Sequence, residues 1–156
     1  MDQFVAAVDH YQSILLDPVL SNQLYHAGSA TRRASLTAAM GLRELIAKSG
    51  SFVYASYEVR AKHHLAALDA TVSENPRQFI ELAEQYPLAI TAVQARVSAA
   101  QVLARQGKNG SALKQLRRAY QSTDDPTLLA DIVGQLVTIA KDSHQFDVAG
   151  RCERWF

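Results

Sequence analysis

Cysteine is nearly absent from this chain. Cys152 is the only one in 156 residues, so no intrachain disulfide can form and a cysteine-rich metal site is excluded. A lone thiol is compatible with a reducing compartment. Helix breakers are also scarce, with seven glycines and four prolines, whereas alanine, leucine and glutamine are plentiful; that composition favours helices. Net charge is missing as well. Sixteen Lys+Arg against fifteen Asp+Glu leave a formal charge of +1, which removes any general pull toward nucleic acid or a membrane surface. No apolar run approaches the roughly 20 residues that a membrane helix needs. Neither lysine nor arginine occurs before Arg32, and no unbroken apolar core lies near the start. A secretory signal is therefore not expected, and a cytoplasmic chain is.

What is present has an ordinary globular makeup, 48% apolar and 20% charged, at a length that suits one domain with a real core. Apolar residues recur at helical spacing. Phe4, Val8, Tyr11 and Leu15 form a stripe along a first helix from Asp2 to Leu16, with Asp2 as its cap and Pro18 blocking continuation. A shorter helix is expected from Val19 to His26, ahead of the segment from Gly28 to Arg33. Ser35 is expected to cap the next helix, which carries Leu36, Met40, Leu42, Leu45 and Ile46 and stops at Gly50. Phe52 to about Val72 reads as helix, with Tyr54, Val59, Leu65 and Leu68 available for burial. Phe52-Val53-Tyr54 has strand-like residues, but no turn and partner strand lie nearby. Asn75-Pro76 opens a short helix with Phe79, Leu82 and Ala83 on its apolar side, and Pro87 ends it.

Leu88 to Gln106 reads as helix, with Val93, Val97, Ala100 and Ala104 on one face, and Gly107-Lys108-Asn109-Gly110 as the turn after it. Ser111 to Gln121 then buries Ala112, Leu116 and Ala119. Asp125-Pro126 caps a helix whose stripe is Leu129, Ile132, Val133, Leu136, Ile139 and Ala140, and a last short helix covers about Phe146 to Arg154. Connections this short make consecutive helices antiparallel neighbours.

Within this run, Thr91 to Pro126 carries a spacing of small and large residues: Ala100, Leu103, Gly107, Ala112-x3-Leu116, Ala119 and Pro126. It resembles a tetratricopeptide repeat, a unit of about 34 residues made of two interlocking helices. Ala100 stands where the family has glycine in its first helix, Leu103 where it has tyrosine, and Ala112 and Leu116 where it has alanine and phenylalanine. The physical need is close approach at the alanines, with the leucines filling the space between. Arg96 and Ala99 depart from the family's tryptophan and leucine. Phe146-x2-Ala149 and the helix from Asn75 to Pro87, with Phe79 and Leu82, echo parts of further units, while the chain up to about Ala70 shows no such register. The expected fold is all-α: antiparallel helical hairpins stacked as a short tetratricopeptide-like α-solenoid or as a compact helical bundle. One domain is expected over 1–156, with N-terminal helices in 1–34, irregular hairpins in 35–90 and the repeat-like part in 91–156.

Residues that could carry chemistry do not assemble into a motif. His10, His26, His63, His64 and His144 show no metal-ligand spacing, and adjacent His63 and His64 point about 100° apart on a helix. There is no G-x-S-x-G elbow, Cys152 has no local histidine arrangement, and Glu81 and Glu84 form a pair of the kind usually just solvated. Gly107-x2-Gly110 lacks the rest of a phosphate-binding loop. Arg32-Arg33-Ala34-Ser35 matches a basophilic kinase site, a short pattern that arises often by chance. A non-enzymatic chain without cofactor or metal is expected.

The charge pattern is more informative. From Gln85 to Thr123 no acidic residue occurs, yet Arg96, Arg105, Lys108, Lys114, Arg117 and Arg118 are all present. Asp2, Asp9 and Asp17 are the only charges before Arg32, and acids lead again from Asp124 onward. A basic hairpin thus lies between acidic ends. Exposed charge is usually solvated; the alternatives are a dock for an acidic peptide or protein, with Arg96 reaching a concave groove, and phosphate binding. Nucleic acid ranks last, because Tyr120 is nearly the only aromatic available to stack on bases. The chain ends on Trp155-Phe156, two large aromatics that need cover, either from the last helix or from a partner or second copy of the chain. The expected function is a protein-binding helical-repeat module, an adaptor, assembly factor or chaperone. The alternatives are a structural subunit of a larger assembly and a nucleic-acid-binding helical protein.

Overall fold

The space that alanine leaves between helices governs the packing of both halves, and a small polar network adds to it in the first. The computed structural model describes residues 2–27, 30–71 and 73–142. The fold is all-α. Among the described residues the elements are α1 (Asp2–Leu16), α2 (Pro18–Asn22), the strands β1 (Leu24–Ala27) and β2 (Ala30–Arg33), α3 (Ala34–Ser49), a single 3-10 turn (Ser51–Tyr54), α4 (Ala55–Ala70), α5 (Pro76–Gln85), α6 (Ile90–Arg105), α7 (Asn109–Tyr120) and α8 (Pro126–Asp142). None of the described helices is long and apolar enough to cross a membrane.

Local chemistry sets most of the boundaries. Asp17 Oδ1 accepts from the backbone N–H groups of Val19 and Leu20 at 2.8 and 3.0 Å, and Pro18 opens α2 where its missing N–H is harmless. Asn75 caps α5 through Arg77 N at 3.1 Å. Asp125 caps α8 through Thr127 N and Leu128 N at 2.8 and 3.2 Å. The α6–α7 turn depends on Gly107, whose φ of 73° is accessible to glycine at little strain. With that geometry Lys108 N reaches Leu103 O at 2.9 Å, satisfying a carbonyl at the end of α6.

Several expectations are corrected, among them the turn read from Gly107 to Gly110, whose last two residues already belong to α7. The helix from Val19 to His26 stops at Asn22, and Leu24–Ala27 pairs antiparallel with Ala30–Arg33, in the register Tyr25↔Arg32 and His26↔Thr31. β-Branched and aromatic residues suit a pleated ladder better than a helix too short to bury a face, and Thr31 Oγ1 lies 3.1 Å from His26 Nδ1 across it. Ser35 is not the cap of α3. The strand runs straight into the helix at Ala34, whose N–H is held by Gln23 O at 2.9 Å, and Arg33 occupies the cap position without a side-chain bond. The helix expected from Phe52 begins as the 3-10 turn, with α4 starting at Ala55. The helix expected near Phe146 to Arg154 lies outside the described residues.

Buried residues form two clusters. The first gathers Val8 and Leu15 of α1, Ala38 and Leu42 of α3, Tyr57, Ala61 and Leu65 of α4, and Phe79, Leu82 and Ala83 of α5 against one face of α6. Val59, read as available for burial, is exposed, as are Leu36 and Met40 of α3, because Ala38 and Leu42 share the inward face of α3 and Tyr57, Ala61 and Leu65 that of α4. The second cluster gathers Ala112, Leu113, Leu116 and Ala119 of α7 and Ile132, Val133, Leu136 and Ile139 of α8 against the other face of α6. Helix α6 belongs to both. Ala92, Ala95, Ala99 and Val102 face the first cluster, and Val93, Ala100 and Leu103 the second.

Two polar devices hold the first cluster in register. Gln12, fully buried on α1, donates through Nε2 to Gln85 O at 2.6 Å and accepts from the Tyr54 hydroxyl at 2.8 Å. It thereby satisfies a carbonyl at the end of α5 that has no partner within its helix. The Tyr57 hydroxyl donates to Asp9 Oδ1 at 2.6 Å, with the Arg60 guanidinium 5.0 Å from the ring centroid. The second device fixes the start of α6. Ala89 has no side chain to cap it, and the carboxylate of Glu58 on α4 does so instead, accepting from Ile90 N at 2.8 Å, Thr91 N at 3.2 Å and Thr91 Oγ1 at 2.6 Å.

Removing that carboxylate with Glu58→Ala is expected to lower unfolding free energy by about 1–3 kcal/mol, the cost of a lost cap and of leaving the Thr91 donors unpaired, as read from urea denaturation. A pH dependence also follows. Burial foremost, then the hydrogen bond to Asp9, push the Tyr57 hydroxyl from 10.0 up to about 12, and burial pushes Tyr54 up as well. The unfolded chain releases these protons from pH 10 upward while the folded chain keeps them. Stability is therefore full below pH 10 and falls as pH rises through about 12. A denaturation series over that window is expected to show the fall, and Tyr57→Phe to flatten it in part.

Candidate functional site

Arg96 and Arg105 are nine residues apart on α6. At about 100° per residue that is two and a half turns, so the two guanidiniums leave the helix on opposite sides. Because both cores use α6, each arginine emerges at a different junction.

Arg105 emerges between α6 and α8, where an open groove of about 830 Å³ is lined by Gln101, Ala104 and Arg105 from α6 and by the outer face of α8. On α8 the lining is an i, i+4, i+7, i+11 row of Asp131, Gln135, Thr138 and Asp142, with Ala130, Gly134 and Ile139 beside it. The two glutamines nearly bridge the walls, Gln101 Nε2 lying 3.4 Å from Gln135 Oε1, and Gln135 Nε2 donates to Asp131 Oδ2 at 3.1 Å. Small residues keep the space open: a Cβ added at Gly134 would meet nothing within 4 Å. The row offers amide, hydroxyl and carboxylate groups along a helix-length track, opposite one guanidinium. Asp131 and Asp142 stand about 16 Å apart along α8, too far to work as a catalytic carboxylate pair.

Arg96 emerges at the other junction, among α5, α6 and α7. Its Nη1 donates to Oε1 of buried Gln115 at 3.1 Å. Arg118 Nη1 stands 3.9 Å from Glu84 Oε1 on α5. Burial foremost, and then the nearby charge of Arg118, hold the Arg96 guanidinium below its ordinary range, with Glu84 opposing them. Lys114, Arg117 and Arg118 share the exposed side of α7. Lys108 lies at the α6–α7 turn, its Nζ donating to Gln106 Oε1 at 3.0 Å.

The basic residues of the hairpin are therefore divided rather than gathered on one face. Arg105 faces the groove, Lys108 lies at the turn, and Arg96 joins Lys114, Arg117 and Arg118 on the α7 side. Trp155 and Phe156 lie outside the described residues, as do His144 and Cys152. His10, His26, His63 and His64 are exposed, and no group of three or more metal-ligating side chains occurs among the described residues. Sequence reasoning missed Gln101, Gln135 and Gly134. For Gly134 a signal was present, since a glycine inside an otherwise strong helical run costs about 1 kcal/mol against alanine and calls for a reason.

No protein-family model, curated protein or solved structure matches this chain. Packing provides no reason for Gly134, because its neighbourhood is empty. Gly134→Ala is accordingly expected to raise stability by about 0.5–1 kcal/mol, measured as a higher unfolding midpoint by circular dichroism.

Proposed function

We propose that the chain is a non-enzymatic helical-repeat module that binds a protein partner, holding a segment of it in the groove between α6 and α8. The observation that carries this reading is the open groove that Gln101, Gln135 and Thr138 line together with Gly134, a helix glycine without a structural task. Places where a fold gives up local stability without local return tend to be functional ones. Glutamine amides facing each other across a channel suit peptide backbone, which presents donors and acceptors of its own along its length. Asp131 and Asp142 on one wall and Arg105 on the other favour a segment of mixed charge, with its basic side chains toward α8.

The tetratricopeptide-like reading draws support from spacing. Helices α4, α6 and α8 begin at residues 55, 90 and 126, and α5 and α7 at 76 and 109, close to the roughly 34-residue period of such arrays. In that register α6 and α8 are first helices of successive units, whose shared face is the concave one. An adaptor, assembly factor or chaperone role fits such a surface. A structural-subunit reading has its own observation, the large apolar residues left exposed, among them Val19 at 68%, Leu24 at 65% and Ile90 at 62%.

The test places a photo-cross-linking residue at Thr138 in the full chain, expressed in its native cells. A discrete protein adduct is expected, and it should disappear when Gly134→Leu fills the groove without unfolding the chain. An adduct that survives Gly134→Leu undiminished, or one containing only nucleic acid, would defeat the proposal. Light scattering on the purified chain separates the readings further, since a monomer at micromolar concentration favours the adaptor.

A further inference from the structure

We infer that the α5–α7 side of the molecule carries a second docking point, in which the guanidiniums of Arg96 and Arg118 take a carboxylate from an acidic segment of a protein partner. This point lies across α6 from the groove and does not depend on it.

The argument begins with what Arg96 lacks. A guanidinium has five N–H donors and a charge that is not lost in proteins. Half-buried Arg96 spends one donor on the neutral amide oxygen of Gln115, and among the described residues no carboxylate stands within ion-pair distance of it. A desolvated cation in that condition is costly until an anion reaches it. Arg118 follows Gln115, the residue that Arg96 touches, by three positions on α7, which puts it on the same side of that helix one turn further along. Its own partner, Glu84, is held only at 3.9 Å, outside hydrogen-bond range and in a loose surface pair. The two arginines and Glu84 sum to a local charge of one positive unit, which a single carboxylate neutralises.

Geometry favours the same ligand. The planar fork of arginine matches a carboxylate in a bidentate manner, and Gln115 holds the Arg96 fork in place. Lys114 and Arg117 extend the positive side of α7 within one turn of Arg118, so neighbouring acids of the same segment also meet cations. No acidic residue between Gln85 and Thr123 competes for them. A nucleic acid is a poorer fit. Three cations on one stretch of α7 neutralise few phosphates, and Glu84, beside Arg118, repels a polyanion more strongly than a single carboxylate.

The test uses the full chain and a short fluorescein-labelled peptide of alternating glutamate and glycine, read by fluorescence anisotropy at low ionic strength. Saturable binding is expected. Arg118→Gln, at an exposed position, should weaken it about tenfold, the loss of one charge-assisted bond. Arg96→Lys, which keeps the charge but not the fork, should weaken it comparably, with circular dichroism confirming the fold. Glu84→Gln should tighten it severalfold, because a repelling carboxylate is gone. Lys114→Gln should have a clearly smaller effect, and Gly134→Leu, across α6, none. The inference is overturned by absence of saturation, by equal losses in Lys114→Gln and Arg118→Gln, or by unchanged affinity in Arg96→Lys. Weaker or unchanged binding in Glu84→Gln, loss of binding in Gly134→Leu, or stronger competition from an oligonucleotide of equal charge overturns it as well.

Discussion

Burial of α6 on two sides is the constraint from which the rest of the molecule follows. A helix about 10 Å across with side chains can serve two cores only if its neighbours come close, and closeness requires small side chains. Ala92, Ala95 and Ala99 provide that on one face and Ala100 on the other, while Val93, Val102 and Leu103 fill what the alanines leave. Such a helix has little freedom in how it starts. Its first turn sits against α4 with no capping residue of its own, and the Glu58 carboxylate fixes it there.

The same constraint sorts the charges. A helix packed on two faces keeps only narrow strips for polar residues, so whatever lies half a turn apart emerges in different places. Arg105 and Arg96 obey this, and their surroundings differ in kind. The first faces carboxylates across open space. The second is half-buried against an amide, with another guanidinium nearby. Net charge over the hairpin says nothing of this division, which belongs to the geometry of one helix.

Much of the second half was legible in the sequence because its signals are local and agree with one another. Asn75-Pro76, Gly107 and Asp125-Pro126 mark boundaries by capping chemistry and backbone freedom, and the stripe from Ile132 to Ala140 faces one core. The first half was harder to read, since its decisive contacts join residues far apart in the chain. Gln12 meets Gln85, Tyr57 meets Asp9 and Glu58 meets Thr91; no local pattern announces a glutamine whose partner lies 73 positions away. On α3, Leu36 and Met40 are as apolar as Leu42, so composition alone could not say which face turns inward. The pairing of β1 and β2 left a trace in Tyr25 and Thr31, but four-residue runs fall below what periodicity resolves. The site was half legible. The basic residues were visible, whereas their separation onto two surfaces needed the helical phase between Arg96 and Arg105, and the groove needed α6 and α8 side by side.

Helix sharing also bears on how the chain comes apart. In an array of self-contained repeats each unit touches only its neighbours, and ends can fray while the middle stays intact. Here α6 is packed by both clusters and is pinned at its start by a residue 33 positions earlier in the chain. It cannot leave one core and remain in the other. The two halves are thereby joined into a cooperative unit, and a disturbance in the first reaches the walls of the groove in the second through the position of a single helix.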